Sequence, residues 1–327
     1  MSALLSEAPG YSFGEPFGWV RFPLFAMATA FWLGKDRRLL NAMLLSTAVG
    51  VAVMCGILAA EVMIEGQRGG RLSWPYDDLV PGSYLAKAGL PVVVILAAVT
   101  AAGARRSAFL AALGVLLVGG MTLMTGERVN FLIVLCSAFL AGLVWKPDWK
   151  RYLVLTLSAA AVLAATLYAA PHLGNRFVNA TIADLPTGDH SSYYRATMPG
   201  LMAFASAPVF GIGPGNFEAM CPDIVAEASN LDCHPHPHHF YAQMLGETGI
   251  LGAVAGTLFL WSMIVWCFRT GWRQRQDLVL ATAWVVPFAF FWPVAANADF
   301  FGQWNNIFMW SALALAMAAV QSRFNDQ

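Results

Sequence analysis

A short run of histidines lies directly before a long apolar segment, and it is the most reactive-looking stretch of the chain. Residues 234–239 read His-Pro-His-Pro-His-His, and we call them the histidine tract. The remaining two of the six histidines, His172 and His190, lie upstream in the same polar stretch. Imidazole changes its charge near neutral pH, and it can accept a proton or bind a metal ion. The chain therefore gathers proton-transfer or metal-binding chemistry in one region.

The alternation of proline in the tract predicts how its histidines are presented. Proline fixes its own φ and disfavours helix in the preceding residue, so His234, His236 and His238 should project to one side of an extended segment. A helix should begin near His239, and its dipole disfavours a protonated imidazole at His238. Neutral imidazole can act as a general base. Two alternatives stay open: a solvated loop without function, and a zinc or copper site that includes Cys233.

Two arginines are candidates for binding an anionic group. Arg128 follows Glu127 at the predicted outer end of an apolar segment, where the positive-inside bias disfavours a cation. Arg195 opens a predicted amphipathic helix. Guanidinium binds phosphate through two parallel hydrogen bonds and keeps its charge. Plainer roles are an ion pair with Glu127 or a lipid head group for Arg128, and extension of the side chain to the interface for Arg195.

Four further polar residues are weaker candidates for the site. They are His236, Glu247 in the helix after the tract, Arg21 in the first apolar segment and Lys87 in the third. Glu247 could pair with an arginine, cap a polar pocket or pack near the interface.

Two of the five cysteines could form a disulfide. Cys221 and Cys233 bracket a polar stretch, and they could be bridged if that stretch faces an oxidising compartment. Spacing alone does not establish a bridge. Cys55, Cys136 and Cys267 lie in apolar runs and are expected to be inert.

The elements that must position these residues are membrane helices. Hydrophobic residues make up 58% of the 327 residues and charged residues 12%, against about 25% charged residues in soluble domains. Apolar runs of about 20 residues recur, each long enough to cross a bilayer. We therefore predict an all-α transmembrane bundle of about nine spans. The spans are expected at 17–34, 39–63, 84–103, 108–125, 129–145, 152–170, 240–268, 278–296 and 306–320.

Basic residues predict the orientation of these spans. Clusters at 35–38, 105–106, 146–151, 269–275 and 323 occupy every second connection, which places them in the cytoplasm. The chain then divides into helices 1–6 (1–170), a periplasmic loop (171–239) and helices 7–9 (240–327), with a cytoplasmic C-terminus. The N-terminus lies outside without a signal peptide, so we expect that N-terminal helices present in relatives are missing. Neither the zero net charge nor any basic aromatic patch indicates nucleic-acid binding.

Within the loop, two elements are predicted. Residues 193–206 carry apolar side chains at helical spacing, which indicates an amphipathic helix at the membrane surface. Residues 211–215, Gly-Ile-Gly-Pro-Gly, indicate a tight turn.

Two blocks of sequence together resemble a known family, the bacterial O-antigen ligase/polymerase family. The first block is Arg195 followed by Ala-Pro-Val-Phe-Gly-Ile-Gly-Pro-Gly-Asn-Phe at 207–217. The second is His236-Pro237-His238 leading to Gln243, Glu247 and Gly249. At the position after His238 the family commonly has asparagine, whereas this chain has His239.

The resemblance implies a polytopic glycosyltransferase of the bacterial inner membrane with its active face in the periplasm. It would move a glycan from undecaprenyl diphosphate to a hydroxyl of lipid A–core (ligase) or of the growing polysaccharide (polymerase), with no metal or cofactor. Transfer to a protein side chain is a third acceptor class. His238 would be the base, and Arg128 and Arg195 would bind the diphosphate; membrane lipids surround the protein. A metal or solute transporter that uses the histidine tract for capture is the alternative from another class.

Overall fold

The structure is a computed structural model, and its described part covers most of the chain. The described residues are 2–6, 9–66, 71–76, 80–89, 91–92, 94–96, 104–145, 157, 160–161, 164, 168, 171–183, 191–226, 228, 230–294 and 299–325.

Helices and the turns between them make up this described part, which contains no β-strand, so the all-α prediction is confirmed there. The main helices are α1 (Pro9–Leu33), α2 (Arg37–Ile64), α3 (Val80–Tyr84, continued by a π-helical turn at Leu85–Gly89), α4 (Ala104–Met124), α5 (Arg128–Trp145), α6 (Ser192–Ser206), α7 (Phe217–Ile224), α8 (Phe240–Arg273), α9 (Leu278–Thr282), α10 (Val285–Phe291) and α11 (Gln303–Asn325). Short helical turns occupy Ala3–Leu5, Pro171–Gly174, Asn175–Asn179 and Ala180–Ala183.

In their described residues, eight of the predicted spans coincide with helices or helical segments, and three of these helices are long and apolar enough to cross a membrane. Those three are Arg37–Ile64, Arg128–Trp145 and Phe240–Arg273, and shorter apolar helices lie at Val80–Leu96, Ala112–Met124 and Leu278–Phe291. The predicted span at 152–170 falls mainly outside the described residues. The count of nine crossings stays a prediction.

Large apolar side chains point outward along the long helices, as expected of surfaces that face lipid. Leu45, Val53 and Met63 of α2 are exposed, and so are Leu258 and Trp266 of α8. A water-soluble protein rarely leaves such long apolar stripes uncovered. The described helices are those of a membrane protein.

The chain divides into two compact units. The first unit comprises residues 1–25, 180–262 and 293–310, and the second comprises 26–179, 263–292 and 311–327.

In the first unit, α6 packs closely against the beginning of α8. Ser191 caps α6, because its hydroxyl accepts a hydrogen bond from the Tyr194 N–H at 3.3 Å. A methyl group added at Gly246 would lie 2.8 Å from the Gly200 carbonyl oxygen, so only glycine allows this approach. The helix predicted at 193–206 is present as α6, and its Gly200 packs against Gly246 of α8.

Helix α8 is broken at Gly249, and the segment 208–217 docks into the break. Gly249 has φ 65° and ψ −171°, a conformation that is essentially restricted to glycine. The Ile212 N–H donates to the Gly246 carbonyl at 2.9 Å, and the Gly213 N–H donates to the Glu247 carbonyl at 3.0 Å. The Ile250 N–H donates to the Pro208 carbonyl at 2.9 Å. We call 208–217 the docking segment, since its backbone replaces hydrogen bonds that the broken helix lacks.

Glycines in the docking segment make the contact possible. Gly211, Gly213 and Gly215 have φ of 72°, 103° and 77°, which confirms the predicted tight turn. A Cβ atom at Gly211 would overlap the backbone of Glu247 and Gly249. Backbone therefore meets backbone with no side chain between them.

The second unit has two buried apolar clusters. One joins Val51 and Leu58 of α2 to Leu85, Val118 and Val134 of the three helices that follow it in the chain. The other joins Ala141 and Val144 of α5 to Trp284, Val285 and Phe288. The buried Glu61 carboxylate accepts hydrogen bonds from the Ser73 and Trp74 N–H groups at 3.0 and 2.9 Å, so it organises the connection after α2.

We predict that Gly249→Ala destabilises the protein markedly, because alanine cannot adopt this backbone conformation cheaply and its methyl group would overlap Val209 and Phe210. This backbone conformation alone costs a non-glycine residue on the order of 1–3 kcal/mol. Thermal unfolding in detergent measures the effect. The matched control is Gly120→Ala in α4, where an added methyl group meets nothing within 4 Å; it should unfold at or above the wild-type temperature. Equal stability of both variants would contradict the docking.

Candidate functional site

Three imidazole rings of the histidine tract lie together in the first unit. The centroid of the His238 ring is 4.4 Å from that of His236 and 4.9 Å from that of His234. The prediction that these side chains share one side of the tract agrees with this cluster. Of the upstream histidines, His190 and the side chain of His172 fall outside the described residues.

The backbone at His238 departs from the predicted extended form. His238 has φ 51°, which lies in the left-handed region. The other described residues with positive φ are glycines. Histidine enters this region more readily than most residues, but it still does so rarely. Strained backbone of this kind persists where neighbouring contacts hold it, and it concentrates at functional sites.

Contacts on both sides hold His238 in place. On one side, Pro237 packs against α6, since an added methyl group at Gly200 would lie 2.9 Å from the Pro237 Cβ. On the other side, His239 is the residue before α8, and its Nδ1 accepts a hydrogen bond from the Ala242 N–H at 3.2 Å. The Nε2 of His239 lies 2.7 Å from the Pro293 carbonyl oxygen. The helix thus begins one residue after the tract, close to the predicted position.

Arg195 forms an ion pair with Asp232, two residues before the tract. Its Nε lies 3.5 Å from the Asp232 Oδ2, and the two side chains are 39% and 44% exposed. A pair this exposed contributes only about 0–1 kcal/mol, so a phosphate group could replace the aspartate. The segment that contains the tract therefore contacts α6 at two places, through Asp232 at Arg195 and through Pro237 at Gly200.

A disulfide joins Cys221 of α7 to Cys233, with Cα atoms 5.8 Å apart. Sequence spacing had left this pairing open. Cys221 is buried in the apolar cluster of Ala203, Ile212 and Phe217, so the bridge ties the first residue before the tract to the core of the first unit.

Glu247 is buried in α8 and contacts the docking segment. It is 1% exposed, and its Oε1 accepts a hydrogen bond from the Phe217 N–H at 3.3 Å. Its backbone carbonyl accepts bonds from Gly213 N–H and from the Ser2 hydroxyl. The sequence left three roles open for Glu247, namely pairing with an arginine, capping a polar pocket and packing near the interface; these contacts show a different one, anchoring of the docking segment.

Gln243 joins α8 to the segment before α11, through residues that sequence reasoning missed. Its Nε2 donates to the Asp299 Oδ1 at 2.6 Å, and its Oε1 accepts from the Phe300 N–H at 2.8 Å. The Asn306 amide donates to the Phe300 and Gly302 carbonyls at 2.7 and 2.9 Å. The sequence signal for Asp299 was its place in a polar turn between two apolar runs, which does not reveal a partner 56 residues away.

The other predicted cations have different surroundings. Arg21 is exposed on α1 in the first unit, with its guanidinium 4.8 Å from the centroid of the Phe22 ring. Arg128, the first residue of α5, is half-buried and belongs to the second unit.

Lys87 is 2% exposed in the π-helical turn after α3 in the second unit, and its ammonium interacts electrostatically with Glu127. Glu127 also accepts a hydrogen bond from the Asn130 amide at 3.3 Å, and its side chain packs where a methyl group on Gly82 would lie. Lys87 thus stands beside the carboxylate that precedes Arg128. Lys87 is suited to balancing that charge rather than to contacting substrate directly.

No group of three or more His, Cys, Asp or Glu side chains within the described residues is arranged to hold a metal ion. The first unit contains the clustered imidazole of His238 and the partly exposed guanidinium of Arg195. An imidazole can take a proton from a hydroxyl, and a guanidinium can stabilise negative charge on a leaving group.

We predict that Lys87→Met lowers thermal stability, because it leaves the Glu127 carboxylate without a buried cation. Removal of one partner of a fully buried pair costs about 3–5 kcal/mol, and less here because Glu127 is half-buried. The double variant Lys87→Met/Glu127→Gln should recover most of the loss, and Lys35→Met, at an exposed lysine, should cause little change. Thermal unfolding that is equally low in single and double variants would argue against the pairing.

Comparison with known proteins gives a family match for part of the chain and a fold match for nearly all of it. Residues 113–256 match the family model described as O-antigen ligase. The whole chain is similar to a chain in a solved structure entitled "Structural coordination of polymerization and crosslinking by a peptidoglycan synthase complex", with a TM-score of 0.50 and 18% identity over 97% of this chain and 94% of that one. At this identity the likeness shows the fold alone. A comparison with curated proteins gave no match.

Proposed function

We propose that the protein transfers a glycan from undecaprenyl diphosphate to an acceptor hydroxyl at the periplasmic face of the inner membrane. Residues 113–256 match the O-antigen ligase family model, and this match indicates a ligase/polymerase-type glycosyltransferase. The observation that carries the proposal is the family match over a segment that includes the whole histidine tract, with His238 held at the start of α8. The transporter alternative has no comparable support.

The proposed reaction is a single displacement at the sugar. His238 accepts the proton of the acceptor hydroxyl while that oxygen forms a bond to the anomeric carbon. The bond between the anomeric carbon and the diphosphate oxygen breaks, and undecaprenyl diphosphate leaves with the bonding electron pair. The proton on His238 is later lost to water. General-base assistance of this kind contributes about 10²–10⁴-fold to rate.

The diphosphate needs positive charge where its negative charge develops. We assign this role to the guanidinium groups of Arg195 and Arg128. Arg195 is suited to it because its ion pair with Asp232 is partly exposed and can exchange for phosphate oxygens. Fixed guanidinium charge lets the reaction proceed without a metal ion.

The proposed topology follows the positive-inside rule. Nine spans place the loop 171–239 in the periplasm and the C-terminus in the cytoplasm. The Cys221–Cys233 disulfide supports this side, because such bonds persist in oxidising compartments. Exposed apolar side chains on α8 would face lipid below the site, where the polyprenyl tail of the donor also lies.

The acceptor distinguishes three versions of the proposal. Lipid A–core makes the protein a ligase, the growing glycan makes it a polymerase, and a protein side chain is the third possibility. Gel analysis of lipopolysaccharide from deletion and complemented strains separates them. Loss of all attached O-chains indicates a ligase, chains of one unit indicate a polymerase, and an unchanged pattern contradicts both.

We predict that His238→Asn abolishes transfer although the protein inserts and folds normally. Asparagine tolerates the left-handed backbone of position 238, but it cannot take up a proton. The variant should therefore fail to restore O-chains in the deletion strain, with rates lowered at least 100-fold. Thermal unfolding of the purified variant checks that the fold is kept. Full complementation by this variant would remove His238 from the mechanism.

We predict that Arg195→Lys and Arg128→Lys each lose most activity, since lysine cannot make two parallel hydrogen bonds to a phosphate group. The donor concentration for half-maximal rate should rise about 10-fold or more. Arg273→Lys serves as the control and should keep wild-type kinetics, because Arg273 is the last residue of α8 and the histidine tract precedes the first. Unchanged kinetics in the first two variants would favour ion pairing or lipid anchoring for these arginines.

A further inference from the structure

We propose that His239 is a positioning residue. Its ring binds the start of α8 through one nitrogen and the segment at Pro293 through the other, and it thereby holds the base His238 in its left-handed backbone conformation. The inference rests on the proposed function for its consequence, but its geometry stands on two hydrogen bonds of one ring.

The two hydrogen bonds identify the tautomer of the His239 ring that fits its partners. The Ala242 N–H can only donate, so Nδ1 must be the bare acceptor at 3.2 Å. The Pro293 carbonyl can only accept, so Nε2 must carry the hydrogen at 2.7 Å. One form of the ring satisfies both, the neutral Nε2–H tautomer. The protonated ring and the Nδ1–H tautomer each lose the bond to Ala242.

The first bond is a helix cap. In α8, Ala242 is the third helical residue, and its N–H is one of the amides that a helix leaves without an internal partner. Side chains before a helix usually satisfy it with a hydroxyl, a carboxylate or an amide oxygen. Here an imidazole nitrogen performs this role, which fixes the direction in which the chain enters the helix.

The second bond reaches across to a different segment. Pro293 lies 54 residues further on, at the start of the connection that leads to Asp299 and Phe300. Gln243, one turn along α8 from His239, binds the same connection through Asp299 and Phe300. His239 and Gln243 thus attach the first turn of α8 to this connection at both of its described ends.

The position of His238 follows from these attachments. It lies between Pro237, which packs on α6, and His239, which is tied to α8 and to Pro293. With both neighbours fixed, the backbone at His238 cannot relax from φ 51° without breaking one attachment. A small displacement of a catalytic group costs rate steeply, on the order of 100-fold for 1 Å.

The test compares His239→Ala with His239→Asn in the purified, reconstituted protein. Alanine removes both bonds, whereas asparagine restores the cap and leaves the catalytic residue untouched. We expect kcat to fall about 10-fold or more in His239→Ala with KM for the lipid-linked donor changed less than about 2-fold, and to return to within about 3-fold of wild type in His239→Asn. Equal kcat in all three proteins, or equal losses in the two variants, would overturn the proposal.

A second readout does not depend on activity. In wild-type protein with ¹⁵N-labelled histidine, the resonances that disappear in His239→Asn identify this ring, and they should report an Nε2–H tautomer at neutral pH. An Nδ1–H or doubly protonated ring would overturn the proposal. Failure of the proposed function itself would show differently, as normal transfer by His238→Asn together with an unchanged His239 tautomer.

Discussion

Three backbone hydrogen bonds across the break in α8 are the interaction on which the candidate site depends. A helix that enters an apolar environment cannot leave backbone groups without partners. The break at Gly249 frees such groups, and the docking segment supplies their partners through Ile212, Gly213 and Pro208. Glycines at 211 and 249 are required because the two backbones approach with no room for a Cβ atom. The docking segment and α8 therefore form one hydrogen-bonded substructure.

The position of the histidine tract depends on contacts with this substructure and with the helices packed on it. The disulfide ties Cys233 to the buried cluster that also contains Ile212 of the docking segment. Pro237 packs on α6, which itself packs on α8 at Gly246. His238, the proposed base, is thus held by contacts with α6, α7 and α8 rather than by the tract alone. Rigid support of this kind is what a proton-transfer step needs, because its rate depends on the position of one nitrogen atom.

Much of the fold was predictable from sequence, and the reasons are physical. Long apolar runs allow only helices in a membrane, and the helices found at 37–64, 128–145 and 240–273 match their predicted positions closely. Side chains of alternating histidines share one side, so the cluster was predictable too. The left-handed backbone of His238 and the Gln243–Asp299 bond were not predictable, because they depend on contacts between residues distant in sequence. The cap formed by His239 is local, but it was missed because histidine is not among the usual capping residues. Glu247 likewise showed its contacts with the docking segment only in the structure.

The most direct test of the account is transfer by the purified protein reconstituted in lipid with an undecaprenyl-diphosphate-linked glycan and a candidate acceptor. Mass spectrometry would measure the undecaprenyl diphosphate released and the glycan joined to the acceptor. We predict equal amounts of the two products, at a rate that a chelator such as EDTA does not change. Absence of product with all acceptors, or transfer that EDTA abolishes and added metal restores, would contradict a mechanism built on His238 and the arginines.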